Sequence, residues 1–439
     1  MAVSNLRHPF LNLAPYSIDH SRFIDYVSKQ ENLLVIQDLD GVCMGLVRDP
    51  LNRTLDANYI EATQQLAGHF FVLTNGEHVG TRGVNKIVES AIADPMGTNS
   101  YLPGLAAGGV QWQTSGGRVS HPGVSTAELK FLTGVPNIFK EKLTTFFNDV
   151  PGLFSGGTLA RLVEAAILDN VASPTANLNE FYQYLRDNNR LETYRSLQQT
   201  MRDCCRDLLV EAEQQGLGNT FFVHYAPNDG RDKNGQERLR LARSGNAASS
   251  GVADSGTTDF QFMLQGAIKE AGVVALLNRY YAQRTGHYPL GEDFSVRQAP
   301  RSLSALLDLV RDNFDLSQMP VIIGVGDTVT SRVEKEDGKR VVRRGGSDRL
   351  FLQLIQNLGG ASERGNVVVY VDSSQGEVKN RKPLKVEECD GVMQVTEGPG
   401  DSNDTDDPLT LDVVFPGGHE QYIETFQAIA DQWSKRWRA

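Results

Sequence analysis

The sequence predicts a doubly wound parallel α/β sheet interrupted by a large inserted α+β domain. Two observations carry this reading. Five short apolar runs, Leu33 to Ile36, Phe70 to Leu73, Val321 to Ile323, Val367 to Val371 and Leu411 to Phe415, are continuous rather than alternating and rich in Val, Ile and Phe. Strands buried on both faces of a parallel sheet have that pattern. Helical patterns alternate with several of these runs, and the stretch between the second and third differs in character from both flanks.

The first two strands occupy the N-terminal part, and the insertion follows from about Thr81 to Leu290. The expected division is therefore 1–80 and 291–439 for the core, and 81–290 for the inserted cap. Within the insertion, Leu178 to Leu191, Thr200 to Gln214 and Phe262 to Arg284 read as helices, while GGVQWQTSGGRV holds glycine-punctuated strand candidates. After the third strand, RLFLQLIQNLGG (Arg349 to Gly360) has apolar residues at helical spacing and closes on a glycine pair. YIETFQAIADQW (Tyr422 to Trp433) follows the last strand. Asn228 to Thr258, Glu334 to Arg349 and Glu397 to Pro408 lack an apolar period and read as flexible surface loops. No internal repeat is visible.

Chemistry concentrates where strands end. In LLVIQDLDGVC an apolar strand runs directly into Asp38, then Asp40 and Gly41. Ligands of open α/β sheets bind beyond the carboxyl ends of the strands. Two carboxylates so close repel each other, and a bound cation relieves that repulsion; a solvated acidic turn is the competing reading. FFVLTNG ends a second strand at Thr74, with Asn75 and Gly76 following, so that a hydroxyl and free backbone N–H groups can hold phosphate oxygens. A simple threonine turn would give the same residues. In VIIGVGDTVTSRV a third strand runs into glycines and then Asp327, which can complete an oxygen-only magnesium site with Asp38. Gly324 and Gly326 lack the third glycine of a dinucleotide fingerprint.

Together these three strand ends resemble the haloacid dehalogenase superfamily of phosphatases, and the insertion is similar to the large cap of its sugar-phosphatase branch. The likeness covers residues 31–80 and about 295–335. It implies Mg²⁺ as cofactor, held by Asp38, Asp40 and Asp327, with Asp38 as nucleophile and Asp40 as acid/base. It implies phosphate binding by Thr74, Asn75 and a basic residue that opens a helix about one helix and one strand ahead of the acid. Arg301 in PRSLSALLDLV fits that position best; Lys269 in QGAIKEAG and Arg297 are the alternatives. Capped relatives follow the acid with Asn and Asp, whereas Thr330 and Ser331 stand here, so the alternatives are a second acid from elsewhere, with Glu334 and Asp348 as candidates, or a water in its place. The implied substrate is a small-molecule sugar phosphate, with functional coupling to the synthase that makes it. The core motifs do not encode the sugar, so sucrose- and trehalose-phosphate remain alternatives, as does a non-catalytic binding protein on the same fold.

Bulk properties narrow the classes. The 439 residues exceed one compact core, and 40% hydrophobic with 22% charged residues is ordinary for a globular chain. A formal net charge of -11 opposes nucleic acid and anionic membrane as partners. Cys43, Cys204, Cys205 and Cys389 form no C-x-x-C, which excludes a zinc ribbon and fits a reducing compartment. The first residues lack the basic start and apolar run of a signal peptide, and no apolar stretch approaches the ~20 residues of a membrane span. A cytoplasmic location is the expectation.

Overall fold

The computed structural model describes residues 8–150, 152–154, 157–233, 235–243, 254–336 and 338–438. The chain begins with α1 (His20–Ser28), β1 (Leu33–Gln37), α2 (Ala57–Gln65), β2 (Phe70–Leu73), α3 (Val84–Ala91), β3 (Gly104–Ala106), β4 (Gln111–Gln113) and β5 (Val119–Ser120). Next come α4 (Thr126–Leu132), α5 (Val135–Asn148), α6 (Thr158–Ala166), β6 (Ile167–Leu168), β7 (Thr175–Asn177), α7 (Asn179–Asp187), α8 (Leu191–Gln214), β8 (Phe221–Ala226), β9 (Asn228–Arg231), β10 (Glu237–Leu239) and β11 (Asp259–Leu264). The remainder supplies α9 (Lys269–Thr285), α10 (Leu303–Asn313), β12 (Val321–Gly326), β13 (Thr330–Glu336), β14 (Lys339–Gly345), α11 (Arg349–Ser362) and β15 (Val367–Val371). The chain closes with β16 (Lys385–Cys389), β17 (Val392–Glu397), β18 (Val413–Phe415) and α12 (Gly418–Trp437).

The main sheet has eight strands in the order β18-β15-β12-β1-β2-β3-β4-β5. The first six are parallel; β4 and β5 turn back antiparallel. All five apolar runs of the sequence lie in this sheet, though the last is a strand only over Val413–Phe415. Alternate side chains of β1 feed two apolar layers. Leu33 and Val35 pack with Tyr59, Phe426 and Trp433 on the face covered by α1, α2 and α12. Leu34 and Ile36 join the opposite layer, under α9 and α11, and that layer continues without a break into the insertion.

The insertion has its own antiparallel sheet, β6-β7-β11-β8, backed by α5, α6 and α8. Part of the expected 81–290 stretch joins the main sheet instead. GGVQWQTSGGRV forms β4 and β5 of the main sheet, because β3 already extends that sheet beyond β2 and the glycines let the chain fold back. Phe262 to Leu264 is strand rather than helix, since the apolar run continues β11 alongside β8; the helix starts only at Lys269 and packs on α11. The strands of the insertion's own sheet thus lie between Ile167 and Leu264.

Two of the three supposed loops carry paired strands. Asn228–Arg231 pairs with Glu237–Leu239, while residues 244–253 of that segment lie outside the described ones. Thr330–Glu336 and Lys339–Gly345 form a hairpin. The acidic segment is tied to that hairpin and to the start of α11 by charge: Arg344 Nη2 lies 2.6 Å from Asp404, and Arg349 reaches both oxygens of Asp407 at 2.7 Å. Paired charges order a segment whose composition alone reads as disordered.

At the buried end of β1 sits Gln37, which donates to the Tyr59 hydroxyl (2.6 Å) and accepts from the Tyr422 hydroxyl (2.7 Å), joining β1, α2 and α12. Gln37→Leu strands two buried hydroxyls at about 1–3 kcal/mol each. Chemical denaturation of that variant should show a loss of about 2–6 kcal/mol; an unchanged midpoint would mean that the two hydroxyls find other partners.

Candidate active site

β1 and β12 run side by side, and their ladder continues one residue beyond the strand, where the Asp38 N–H donates to Val325 O at 3.0 Å. This carries the Asp38 carboxylate into the interior, 7% exposed. Gly41 then turns the chain at φ 81°, and a Cβ on it would stand 2.3 Å from Asp327 Oδ2. Only glycine tolerates both the left-handed backbone and that approach, so the turn after Asp40 is packed directly on Asp327. Asp40 itself is partly exposed and meets Arg53 Nη1 at 3.2 Å.

Lys269, the first residue of α9, is buried between two acids. Its Nζ lies 2.7 Å from Asp38 Oδ2 and 2.7 Å from Asp348 Oδ1. The other oxygen of Asp348 accepts the N–H groups of Asp327 and Thr328, both at 2.9 Å. Burial opposes the charge of Asp348, but Lys269 and the two N–H groups outweigh it and hold its pKa below the usual carboxylate range. Asp38 shows the opposite balance. Burial raises its pKa more than Lys269 lowers it, and Asp348 and Asp327 add to the rise. The two partners of one lysine thus move apart, because Asp348 has backbone donors as well and Asp38 has none. Asp327 is raised too, by burial first.

The three carboxylates of Asp38, Asp327 and Asp348 offer oxygens that all lie within 4.8 Å of one another. Asp38 Oδ1 is buried and without a hydrogen-bond partner. An all-oxygen acidic cluster with one orphaned oxygen fits a hard divalent cation. Asp348 is committed to Lys269 and backbone, which leaves Asp38 and Asp327 as the acids facing such an ion. Of the two candidate second acids, Asp348 is the one that stands in this cluster, delivered by the return of the β13–β14 hairpin. Glu334 lies within that hairpin, engaged by Arg343 (3.2 Å) and Arg332 (3.4 Å).

Beyond β2, Thr74 is buried, and its hydroxyl accepts the Gly76 N–H at 3.2 Å. Asn75 Nδ2 meets His224 Nε2 of the insertion at 3.0 Å, and the other nitrogen of His224 lies 2.9 Å from Glu237. The buried Glu77 accepts three backbone N–H groups from residues 171–173 at 2.6–3.0 Å. A carboxylate so enclosed by donors is a strong docking point, and it fastens the cap to the loop carrying Thr74 and Asn75.

Asp38, Asp40, Thr74, Asn75, Lys269 and Asp327 line one cavity of about 140 Å³. Its far wall is the cap sheet, which presents Thr175, Asn177, Asp259 and Gln261. Arg301 is not part of it. That residue is exposed, precedes α10 and lines a different hollow, and of the three candidate cations Lys269 is the one that lines the cavity, against the expected Arg301. The physical reason is that two helices, α9 and α10, intervene between cation and acid, and the farther one has its N-terminus at the site. Arg297 is taken by Glu128 at 2.8 Å. Arg53 and Arg381 also line the cavity; neither stands in a strand-end motif that would have singled it out.

Residues 32–430 match the profile of the family described as glucosylglycerol-phosphate phosphatase (Salt_tol_Pase). A glucosylglycerol-phosphate phosphatase of Synechocystis sp. is 57% identical over 420 residues, covering 95% of this chain and 97% of the relative. The stretch LVIQDLDGVCMGLVRDP, read with the whole chain, already carries a likeness to that enzyme. Among solved structures, the C-terminal domain of the C. albicans trehalose-6-phosphate phosphatase aligns with TM-score 0.46 at 9% identity over 95% of this chain and 99% of that one. The Aspergillus fumigatus trehalose-6-phosphate phosphatase aligns with TM-score 0.37 at 10% identity over 95% and 100%.

Replacing Lys269 by Met leaves two buried carboxylates uncompensated, which costs about 3–5 kcal/mol. Arg301→Met alters an exposed side chain and should stay within about 0.5 kcal/mol of the parent. Urea denaturation of both variants should separate them widely; equal midpoints would contradict the central place given to Lys269.

Proposed function

The chain belongs to the glucosylglycerol-phosphate phosphatase family, and we propose that it hydrolyses glucosylglycerol 3-phosphate to glucosylglycerol and phosphate through an aspartyl-phosphate on Asp38. The observation that carries this reading is the buried Asp38 with an unpartnered oxygen, opening on a cavity it shares with Asp40, Thr74, Asn75 and Lys269. A phosphoester seated there meets a nucleophile, an acid/base and phosphate donors at once. The setting is compatible-solute synthesis under salt stress, in the cytoplasm, after the synthase that makes the phosphorylated substrate. Among the described residues no helix is long and apolar enough to cross a membrane.

The residues divide the work. Asp38 attacks phosphorus and forms the acyl phosphate. Asp40, held by Arg53, gives a proton to the departing oxygen and later takes one from the water that cleaves the intermediate. Thr74, Asn75 and Lys269 hold the phosphoryl oxygens, where charge spreads in the transition state. Asp38, the Asp40 main-chain carbonyl and Asp327 would hold Mg²⁺. That ion supplies positive charge that lets an anionic carboxylate approach an anionic phosphate.

The cap supplies selectivity. Gln261 Oε1 is buried, lines the cavity and has no hydrogen-bond partner. Asn177 Nδ2 donates to Asp259 at 2.7 Å beside it. Such groups match sugar hydroxyls and are left unpaired by a ligand that lacks them.

Asp38→Asn cannot form the acyl phosphate, and turnover should fall by at least about a thousandfold, as for other lost nucleophiles. Excess chelator should abolish activity of the parent and Mg²⁺ should restore it. Activity of the Asn variant within tenfold of the parent, or full activity in chelator, would falsify this mechanism.

Gln261→Leu should lower kcat/KM for glucosylglycerol 3-phosphate by about tenfold to hundredfold, the effect of one lost hydrogen bond to an uncharged group. Activity toward p-nitrophenyl phosphate should change little. A panel with sucrose- and trehalose-phosphate completes the measurement, and faster turnover of either by the parent would reassign the substrate.

A further inference from the structure

Two cations serve the three buried acids, and they divide them unequally. Lys269 is shared by Asp38 and Asp348. Asp327 has a cation of its own in Arg381, whose Nε lies 3.3 Å from Asp327 Oδ2 and whose Nη2 donates to Thr328 Oγ1 at 2.8 Å. The Thr328 hydroxyl in turn donates to Asp327 Oδ1 at 2.7 Å, and Ser373 Oγ donates to Oδ2 at 2.6 Å. Both oxygens of Asp327 are thus satisfied by protein donors alone. Arg381 nevertheless lines the open cavity, with 11% of its side chain exposed, so the guanidinium has somewhere else to go.

The segment that carries Arg381 is built to aim it. Asp372, at the end of β15, accepts the Ser374 N–H at 2.9 Å and the Leu384 N–H at 2.8 Å, pinning the two ends of the loop together. Ser373 and Arg381 project from this pinned loop toward the same carboxylate oxygen. A guanidinium stays charged at any accessible pH and is more weakly hydrated than an ammonium, which suits it to a part-buried ion pair. A carboxylate as buried as Asp327 is costly without a counter-charge.

We propose that Arg381 is a built-in counter-ion for Asp327: it holds the carboxylate before metal binding and yields it to the incoming divalent cation, so that it weakens the affinity of the site for Mg²⁺. The proposal rests on the magnesium reading given above. Three carboxylates against Lys269 and Arg381 leave one net negative charge at the centre. The positive charge of Arg381 on Asp327 competes with the metal for the same oxygen and repels it. Removing that charge therefore raises metal affinity at the cost of metal-free stability. The two effects are linked, because whatever the metal-free form loses and the metal-bound form keeps appears as tighter binding.

The test uses the full chain stripped of metal, as the parent, Arg381→Gln and Arg381→Lys, titrated calorimetrically with MgCl₂ and melted in chelator and in saturating Mg²⁺. Arg381→Gln should bind Mg²⁺ on the order of tenfold more tightly, with Arg381→Lys close to the parent. In chelator the Gln variant should melt below the parent, and at saturating Mg²⁺ the gap should close. Equal or weaker Mg²⁺ affinity in the Gln variant would overturn the proposal, as would a melting deficit that persists undiminished with the metal. If the parent binds no Mg²⁺, the magnesium reading falls together with this one; if the parent binds it and the Gln variant is no tighter, this proposal falls alone.

Discussion

One buried ammonium holds the centre together. Lys269 stands between Asp38 and Asp348, and each contact fixes a different part of the chain. Through Asp38 it holds the end of β1; through Asp348 it holds the N–H groups after β12, and so the direction in which Asp327 points. Because Lys269 opens α9, the same contact fastens the last segment of the insertion to the core. Burying one cation with two anions is costly unless every partner is hydrogen-bonded. Asp348 meets that condition fully and Asp38 only in part, which leaves Asp38 as the member of the pair with an unpartnered oxygen.

The strand ends were legible because their chemistry is local. Continuous apolar runs reveal parallel strands, and a polar residue just after such a run has to lie at the carboxyl edge of the sheet. Asp38, Thr74 and Asp327 needed nothing more. Lys269 and Asp348 were harder, since each reaches the centre from a position set by chain topology rather than by a strand end. A single basic residue at a helix start carries little signal, and Arg301 offered a closer match to the expected spacing than Lys269, which lines the cavity. Arg381 and Glu77 lay beyond reach for a related reason: their roles depend on partners far away in sequence, Asp327 for one and residues 171–173 for the other.

The cap boundary shows how sheet membership overrides composition. Glycine-rich GGVQWQTSGGRV looked like part of the insertion, yet its two short strands find unsatisfied backbone groups along β3 and extend the main sheet. The acidic segment that follows β17 looked disordered by composition and is instead neutralised by Arg344 and Arg349. In both places the deciding partner is another backbone or another charge, and neither appears in a window read along the chain.

The hairpin β13–β14 leaves the site just after Thr328 and returns just before Asp348, with Thr330 and Gly345 paired across its base. The ladder seals this excursion, so the distance between Asp327 and Asp348 is independent of how many residues travel outward. The chain has in effect a sidetrack whose length the chemistry does not register. New sequence could be added at the exposed turn near Gly338, which has open space around it, and the two acids would keep their places. Arg332 of the same hairpin meets Asp229 of the cap at 2.8 Å, so a longer sidetrack would grow beside the cap and away from the reacting atoms. Such a fold can acquire a new surface without renegotiating its catalytic centre.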